Sequence, residues 1–189
     1  EGALLVMSAV TGLSTGFEKA WNASGKRGVA RMIVVTQVDR EHINYRKVLD
    51  DLRATYGNCI IPTVLPIGEG VNFKGVVDVL TGKAFMGSGK DRKEVPIPAE
   101  MEALVEEAIE ACHEAAASTS EDLMEKFFDE GRLEEVDMLR GLSAGIYDGS
   151  IVPVVPVSSI NGIGIRPLLY ELAMYMPSPM EHTYHGINP

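Results

Sequence analysis

Residues 31–38 read Arg-Met-Ile-Val-Val-Thr-Gln-Val, a nearly continuous apolar run that is followed by Asp39. Residues 4–10 and 151–157 form two further runs of this kind. Strands that are buried on both faces of a parallel sheet have this composition, because neither face meets water. After each run come apolar residues at helical spacing, over residues 14–26, 41–56 and 165–176. A strand followed by a helix, three times over, predicts an α/β fold with a parallel sheet.

An insertion over residues 59–150 separates the second strand-helix unit from the third. Its first part predicts a small sheet with strands at 63–67, 75–79 and 83–86, joined by glycine-containing turns. Its second part predicts three helices, the first of them over the apolar pattern from Met101 to Cys112. A Ser118-Thr-Ser-Glu121 capping box predicts the start of the second helix, and residues 133–146 predict the third. The insertion is therefore predicted to be an α+β subdomain.

Negative charge is concentrated in this insertion. The chain has 17 Lys and Arg against 27 Asp and Glu, a net charge of −10, and residues 94–148 hold 16 of the acidic and 3 of the basic side chains. This balance disfavours a protein that surrounds nucleic acid with a basic surface, and it predicts no direct DNA binding. The acidic helices form either an ordinary solvated surface or a docking surface. No apolar run approaches the roughly 20 residues that a membrane span needs, so no membrane association is expected.

Both ends of the sequence suggest a piece of a longer protein. The chain starts at Glu1 without an initiator methionine or signal sequence and enters an apolar strand at once. Residues 177–189 are proline-containing and lack periodicity, which predicts a linker to a next domain. His182 and His185 have a spacing that could suit a metal ion, but no third ligand lies near them, so no metal site is predicted. We expect four parts, at residues 1–58, 59–150, 151–176 and 177–189.

Two glycine motifs have some features of phosphate-binding loops. Gly87-Ser-Gly-Lys90 lacks the first glycine of such a loop and the Ser or Thr that would hold Mg²⁺, so it is interpreted as a solvated hairpin loop. Gly162-Ile-Gly164 precedes a helix, but Pro167 occupies the third glycine position of a dinucleotide fingerprint. It is interpreted as a plain strand-to-helix turn.

Polar residues follow two of the predicted strands. They are Thr36, Gln37 and Asp39 after the second strand, and Ser158, Ser159 and Ile160 after the third. The carboxyl ends of parallel strands meet at one edge, where open α/β sheets bind ligands. An Asp carboxylate there can accept hydrogen bonds from N1–H and N2–H₂ of guanine, a donor pair that adenine lacks. The spacing also fits structural roles, with Asp39 as a helix N-cap before Glu41 and Ser158 as a cap or turn residue.

Taken together, several segments resemble the GTPase domain of translation elongation factor G, including its inserted subdomain. They are residues 2–12, 18–21, 36–41, 65–68, 73–78, 123–126, 158–160, 167–169 and 177–179. The resemblance implies the C-terminal half of a P-loop GTPase-type parallel sheet with an inserted α+β subdomain. It also implies that residues 36–39 and 158–160 are the two guanine-binding loops. Tetracycline-resistance ribosomal protection proteins and release factor three are also similar to this chain but fit its insertion less well, and a GTPase of either type is an alternative interpretation.

The resemblance implies a function for the intact protein. It would bind GTP and GDP, with Mg²⁺, and hydrolyse GTP on the ribosome in the cytoplasm to drive translocation, while its insertion contacts the ribosomal stalk protein. The phosphate loop and the switches of that family would lie upstream of Glu1. No catalytic residue is therefore expected in these 189 residues, and the chain alone is expected not to hydrolyse GTP.

One guanine loop departs from the family pattern. The family has Asn-Lys-x-Asp, whereas here Thr36 and Gln37 replace the Asn and the Lys, and Asp39 is retained. The Lys stem packs along the base plane, a contact that Gln37 could supply only in part. The alternative interpretation is a non-hydrolysing paralogue that acts as a ribosome-binding module.

Overall fold

A computed structural model describes residues 2–178, which contain two sheets. The main sheet comprises β1 (Gly2–Ser8), β2 (Ala30–Thr36), β3 (Ile60–Pro62) and β8 (Val152–Pro156). All of its pairings are parallel, and the spatial order is β1-β2-β8-β3. Every residue of β8 is buried and most of β2 is, as expected for strands with helices on both faces. The predicted α/β class with a parallel sheet is confirmed.

Three helices belong to this sheet, and side-chain caps set the starts of two of them. α1 (Thr15–Lys26) begins where the Ser14 hydroxyl accepts the Phe17 N–H at 3.3 Å. α2 (Tyr45–Tyr56) begins where Asn44 Oδ1 accepts the Lys47 N–H at 2.9 Å. The predicted start of this helix at residue 41 was wrong, because His42 has a left-handed φ of 63° that no α-helix continues. α6 (Ile165–Tyr175) lies where the sequence predicts it.

The insertion has a sheet and a group of helices, as predicted. β4 (Val64–Ile67), β5 (Gly75–Asp78) and β6 (Lys83–Met86) pair antiparallel, and β7 (Lys93–Val95), which the sequence analysis missed, extends the sheet. The helices are α3 (Glu102–Ala117), α4 (Glu121–Glu130) and α5 (Glu135–Asp148). Ile60 in β3 pairs with Val152 in β8, so the chain leaves the main sheet after Pro62 rather than at residue 59.

The insertion packs directly onto the main sheet. α5 contacts β2, β8 and α6, and β4 contacts β8. Thr63, where the insertion begins, donates its hydroxyl hydrogen bond to Glu171 Oε2 on α6 at 2.8 Å, and both residues are buried. A buried side-chain pair therefore joins the start of the insertion to the last helix.

Residue 1 and residues 179–189 lie outside the described part. Of the predicted linker, only Pro177 and Ser178 fall within it, and His182 and His185 do not. Among residues 2–178, no helix is long and apolar enough to cross a membrane.

The cap of α4 offers a test of the local structure. The predicted capping box was wrong, because Ser118 ends α3 and it is the Ser120 hydroxyl that accepts the Leu123 N–H at 3.3 Å. Ser120→Ala is expected to lower the free energy of unfolding by about 1 kcal/mol, the usual cost of a lost N-cap. Urea unfolding measures this change. Ser118→Ala is the control, since the Ser118 hydroxyl donates to Ala115 O within α3, and equal losses in both variants would contradict the assignment.

Candidate functional site

The structure brings the two predicted loops together at the carboxyl edge of the main sheet. β2 and β8 are direct neighbours, with Val35 opposite Pro156. The Val157 N–H extends this pairing by donating to Val35 O at 2.8 Å. Asp39 lies four residues beyond Val35, and Ser158 two residues beyond Pro156. The two loops thus leave adjacent strands at the edge where open α/β sheets bind ligands.

Asp39 lies in a tight turn. The Arg40 N–H donates to Gln37 O at 3.2 Å and closes the turn, while Val38 is fully buried and anchors it. Asp39 is half-buried, and within residues 2–178 no hydrogen bond or ion pair engages its carboxylate. The helix N-cap interpretation of Asp39 was wrong, because Asn44 caps α2. The carboxylate is therefore available to an external hydrogen-bond donor.

Thr36 and Gln37 tie this turn to the neighbouring strand β1. The Thr36 hydroxyl donates to Met7 O at 3.1 Å. The Ser8 hydroxyl donates to Gln37 Oε1, and Gln37 has a left-handed φ of 61°. Backbone strain in a non-glycine residue is characteristic of functional loops. The Gln37 amide is thus held toward β1, a contact that sequence analysis missed because nothing in the spacing links Ser8 to Gln37.

The second loop is held by Ser158. Its hydroxyl accepts the Asn161 N–H at 3.1 Å, and its backbone N–H donates to Ile163 O at 3.0 Å. Ser158 is fully buried, and both of these hydrogen bonds lie within its own loop. Ser159 and Ile160 are exposed, the latter by 71%. Any ligand above this edge of the sheet would therefore meet Ser159 and Ile160 rather than the Ser158 hydroxyl.

The two glycine motifs have structural roles. Gly87 to Lys90 form part of the connection between β6 and β7, as predicted. Gly164 caps α6 with a φ of 81°, and a Cβ there would lie 2.2 Å from Pro156 O. Only glycine fits at this position, because the backbone of the turn approaches β8 closely.

Neither of two cavities in the protein lies on the two loops. A cleft of about 310 Å³ lies between the β1–α1 connection and the start of α2, and a groove of about 500 Å³ lies between β3, α2 and α3. Neither is lined by Asp39 or Ser159. Shape alone would select these clefts, but the unpartnered Asp39 carboxylate and the strained Gln37 backbone favour the open carboxyl edge of the main sheet.

The described residues carry no cluster of metal ligands. Among residues 2–178, no group of three or more His, Cys, Asp or Glu side chains is placed to hold a metal ion. No step through Mg²⁺ is assigned to these residues.

Residues 1–178 match the family model described as the elongation factor Tu GTP binding domain. The match covers both sheets and both loops.

A solved crystal structure of a protein from Thermus thermophilus has the same fold. The TM-score is 0.87 at 33% sequence identity, and the match covers 95% of the present chain. The chain spans 27% of the length of that protein. The likeness extends over the main sheet and the insertion together.

Proposed function

The chain belongs to the elongation factor Tu GTP-binding domain family, and from that premise we propose that its two loops at the carboxyl edge recognise guanine. The observation that carries the proposal is the Asp39 carboxylate, which follows β2, lies beside the 158–160 loop and has no partner within residues 2–178. Guanine presents N1–H and N2–H₂ side by side, and a carboxylate accepts both. Charge-assisted hydrogen bonds of this type contribute about 1.5 to 3 kcal/mol each.

The proposed roles of the other residues follow from their contacts. Thr36 and Gln37 fix the turn that carries Asp39 by binding β1. Ser158 shapes the second loop from inside, and Ser159 and Ile160 offer their backbone N–H groups to the purine carbonyl. These assignments rest on placement along the sheet edge and on the family.

The proposal for the whole protein is a translation elongation factor similar to elongation factor G. The inserted α+β subdomain and the motif order support this choice within the family. Such a factor hydrolyses GTP on the ribosome in the cytoplasm and drives translocation. Hydrolysis depends on phosphate positioning and Mg²⁺, and the proposal assigns neither of these tasks, and no catalytic residue, to residues 2–178.

The test is a titration of the full-length protein with a fluorescent GDP analogue, competed by unlabelled GDP, ADP and xanthosine diphosphate. Guanine recognition predicts strong competition by GDP and competition at least about 100-fold weaker by ADP, since adenine loses both bonds to Asp39. Equal competition by the three nucleotides would reject the proposed function.

The contacts of Gln37 favour a second candidate function. Because its amide is bound to Ser8, it does not supply the packing along the base plane that a Lys supplies in the family motif. The second candidate is a non-hydrolysing paralogue that binds the ribosome through its insertion, with the acidic helices α3 to α5 facing the stalk protein. Ribosome cosedimentation distinguishes the two candidate functions, because a non-hydrolysing paralogue should bind the ribosome equally well with GTP, with GDP or with neither nucleotide.

A further inference from the structure

A loop of the insertion contacts the segment that carries Asp39. The connection between β4 and β5 contains Glu69 and Gly70, which lie next to the start of α2. Glu69 Oε1 accepts the Tyr45 N–H at 2.9 Å, and the Gly70 N–H donates to Val38 O at 3.0 Å. Each end of the segment from Val38 to Tyr45 is therefore held by one hydrogen bond to the insertion.

The Glu69 carboxylate supplies the negative charge and the hydrogen-bond acceptor that the start of α2 lacks. The first N–H groups of a helix have no partner within the helix, and negative charge near them is stabilising. The first turn of α2 contains no acidic residue, and it contains Arg46 and Lys47. Asn44 satisfies the Lys47 N–H, and Glu69 satisfies the Tyr45 N–H. The helix start is thus capped jointly by its own segment and by the insertion.

Gly70 allows this close approach. Its φ is 58°, and a Cβ at this position would lie 3.0 Å from Arg40 O. A larger residue would force the two loops apart. The approach places the backbone of the insertion directly against the turn formed by Gln37 to Arg40.

We propose that Glu69 is a positioning residue, which holds the Asp39 segment in the geometry that binds guanine and so slows the release of the nucleotide. The inference rests on the proposed function, because Asp39 must be the group that holds the base. It assigns to the insertion a direct role in nucleotide affinity. Glu69 itself does not touch the nucleotide.

The experiment compares three variants of the full-length protein. Glu69→Ala removes the acceptor, Glu69→Gln keeps a neutral acceptor, and Glu41→Gln is the matched control, an exposed carboxylate within the same segment. Amide hydrogen exchange is measured over residues 37–46, together with the dissociation rate of GDP and the preference for GDP over inosine diphosphate. Inosine diphosphate lacks the N2 amino group, so this preference reports on the placement of the Asp39 carboxylate.

We expect Glu69→Ala to increase exchange over residues 37–46 and to speed GDP dissociation about three- to tenfold, because losing one helix cap destabilises the segment by an amount of this order. The preference of Glu69→Ala for GDP over inosine diphosphate should fall. In Glu69→Gln, the exchange, the GDP dissociation rate and this preference should lie between those of Glu69→Ala and the unaltered protein. In Glu41→Gln, all three should match those of the unaltered protein.

Three results would count against the proposal, and each has a different meaning. Unchanged exchange over residues 37–46 in Glu69→Ala would show that the contact does not hold the segment. Faster exchange with an unchanged GDP rate and preference would reduce Glu69 to a purely structural residue. Absence of guanine selectivity in the unaltered protein would overturn the proposed function, while exchange would still report on the contact itself.

Discussion

Asp39→Asn is expected to move the base preference of the protein from guanine to xanthine. The Asn side chain presents one acceptor and one donor, so it can accept only one of the two donors of guanine and places its NH₂ group against the other. Xanthine carries a carbonyl where guanine has the amino group, which suits the Asn donor. GDP affinity should fall roughly 100- to 1,000-fold, the equivalent of one to two charge-assisted hydrogen bonds, while xanthosine diphosphate gains affinity. Competition titrations against a fluorescent nucleotide measure both changes.

Asp50→Asn provides the control for this experiment. Asp50 is an exposed carboxylate on α2, outside the turn that carries Asp39. Its substitution removes one negative charge from the same region and should leave the base preference unchanged. If Asp39→Asn kept the preference for GDP over xanthosine diphosphate, Asp39 would not be the residue that reads the base.

The parts of the fold that the sequence predicted are those with strong local patterns. The apolar runs in β2 and β8 have the composition of strands buried on both faces, and parallel strands place their carboxyl ends together. The placement of Asp39 and the 158–160 loop at one edge followed from this geometry, whereas the direct pairing of β2 with β8 did not. The predicted helices α1 and α6 followed from apolar spacing in the same way.

The parts that the sequence missed depend on local caps or distant partners. Residues 41–44 continue the polar pattern of a helix, but Asn44 and the backbone of His42 set the start of α2 later. β7 is a short edge strand with two charged residues, so it carries almost no apolar signal. The contacts of Gln37 with Ser8 and of Tyr45 with Glu69 join residues far apart in sequence, and no spacing rule identifies them.

Glu171 is a buried polar residue that the sequence analysis did not predict. It lies at helical spacing from the buried Leu168, and only 2% of its surface is exposed. Burial raises the pKa of Glu171 to about 8, and the negative charge of Asp78 acts in the same direction, while the hydrogen bond from Thr63 opposes both. Glu171 Oε1 has no partner within residues 2–178. The carboxyl group is therefore held in a site that favours its protonated form.

The raised pKa of Glu171 makes the stability of the fold dependent on pH. In the unfolded chain this carboxyl group titrates near its ordinary pKa of 4.5, so between this value and about 8 the folded state binds more protons than the unfolded state. Stability from this group is fully present below pH 4.5 and is lost as the pH rises toward 8. The expected loss between pH 5 and pH 8 is about 3 kcal/mol.

Glu171→Gln is expected to abolish this loss, because a neutral amide fills the same site and can still accept the hydrogen bond of Thr63. The free energy of unfolding, measured in urea at pH 5, 7 and 8, should differ little between the variant and the unaltered protein at pH 5. At pH 8 the variant should be the more stable by up to about 3 kcal/mol. The other groups that face Glu171 are the same in both proteins. The difference in the free energy of unfolding between the two proteins therefore reports the contribution of Glu171 alone.

Glu125→Gln, at an exposed position on α4, is the control. Its free energy of unfolding should change with pH in the same way as that of the unaltered protein. A difference between Glu171→Gln and the unaltered protein that stays constant from pH 5 to pH 8 would mean that Glu171 keeps an ordinary pKa in the folded state, and that the buried pair with Thr63 stabilises the junction of the insertion independently of pH.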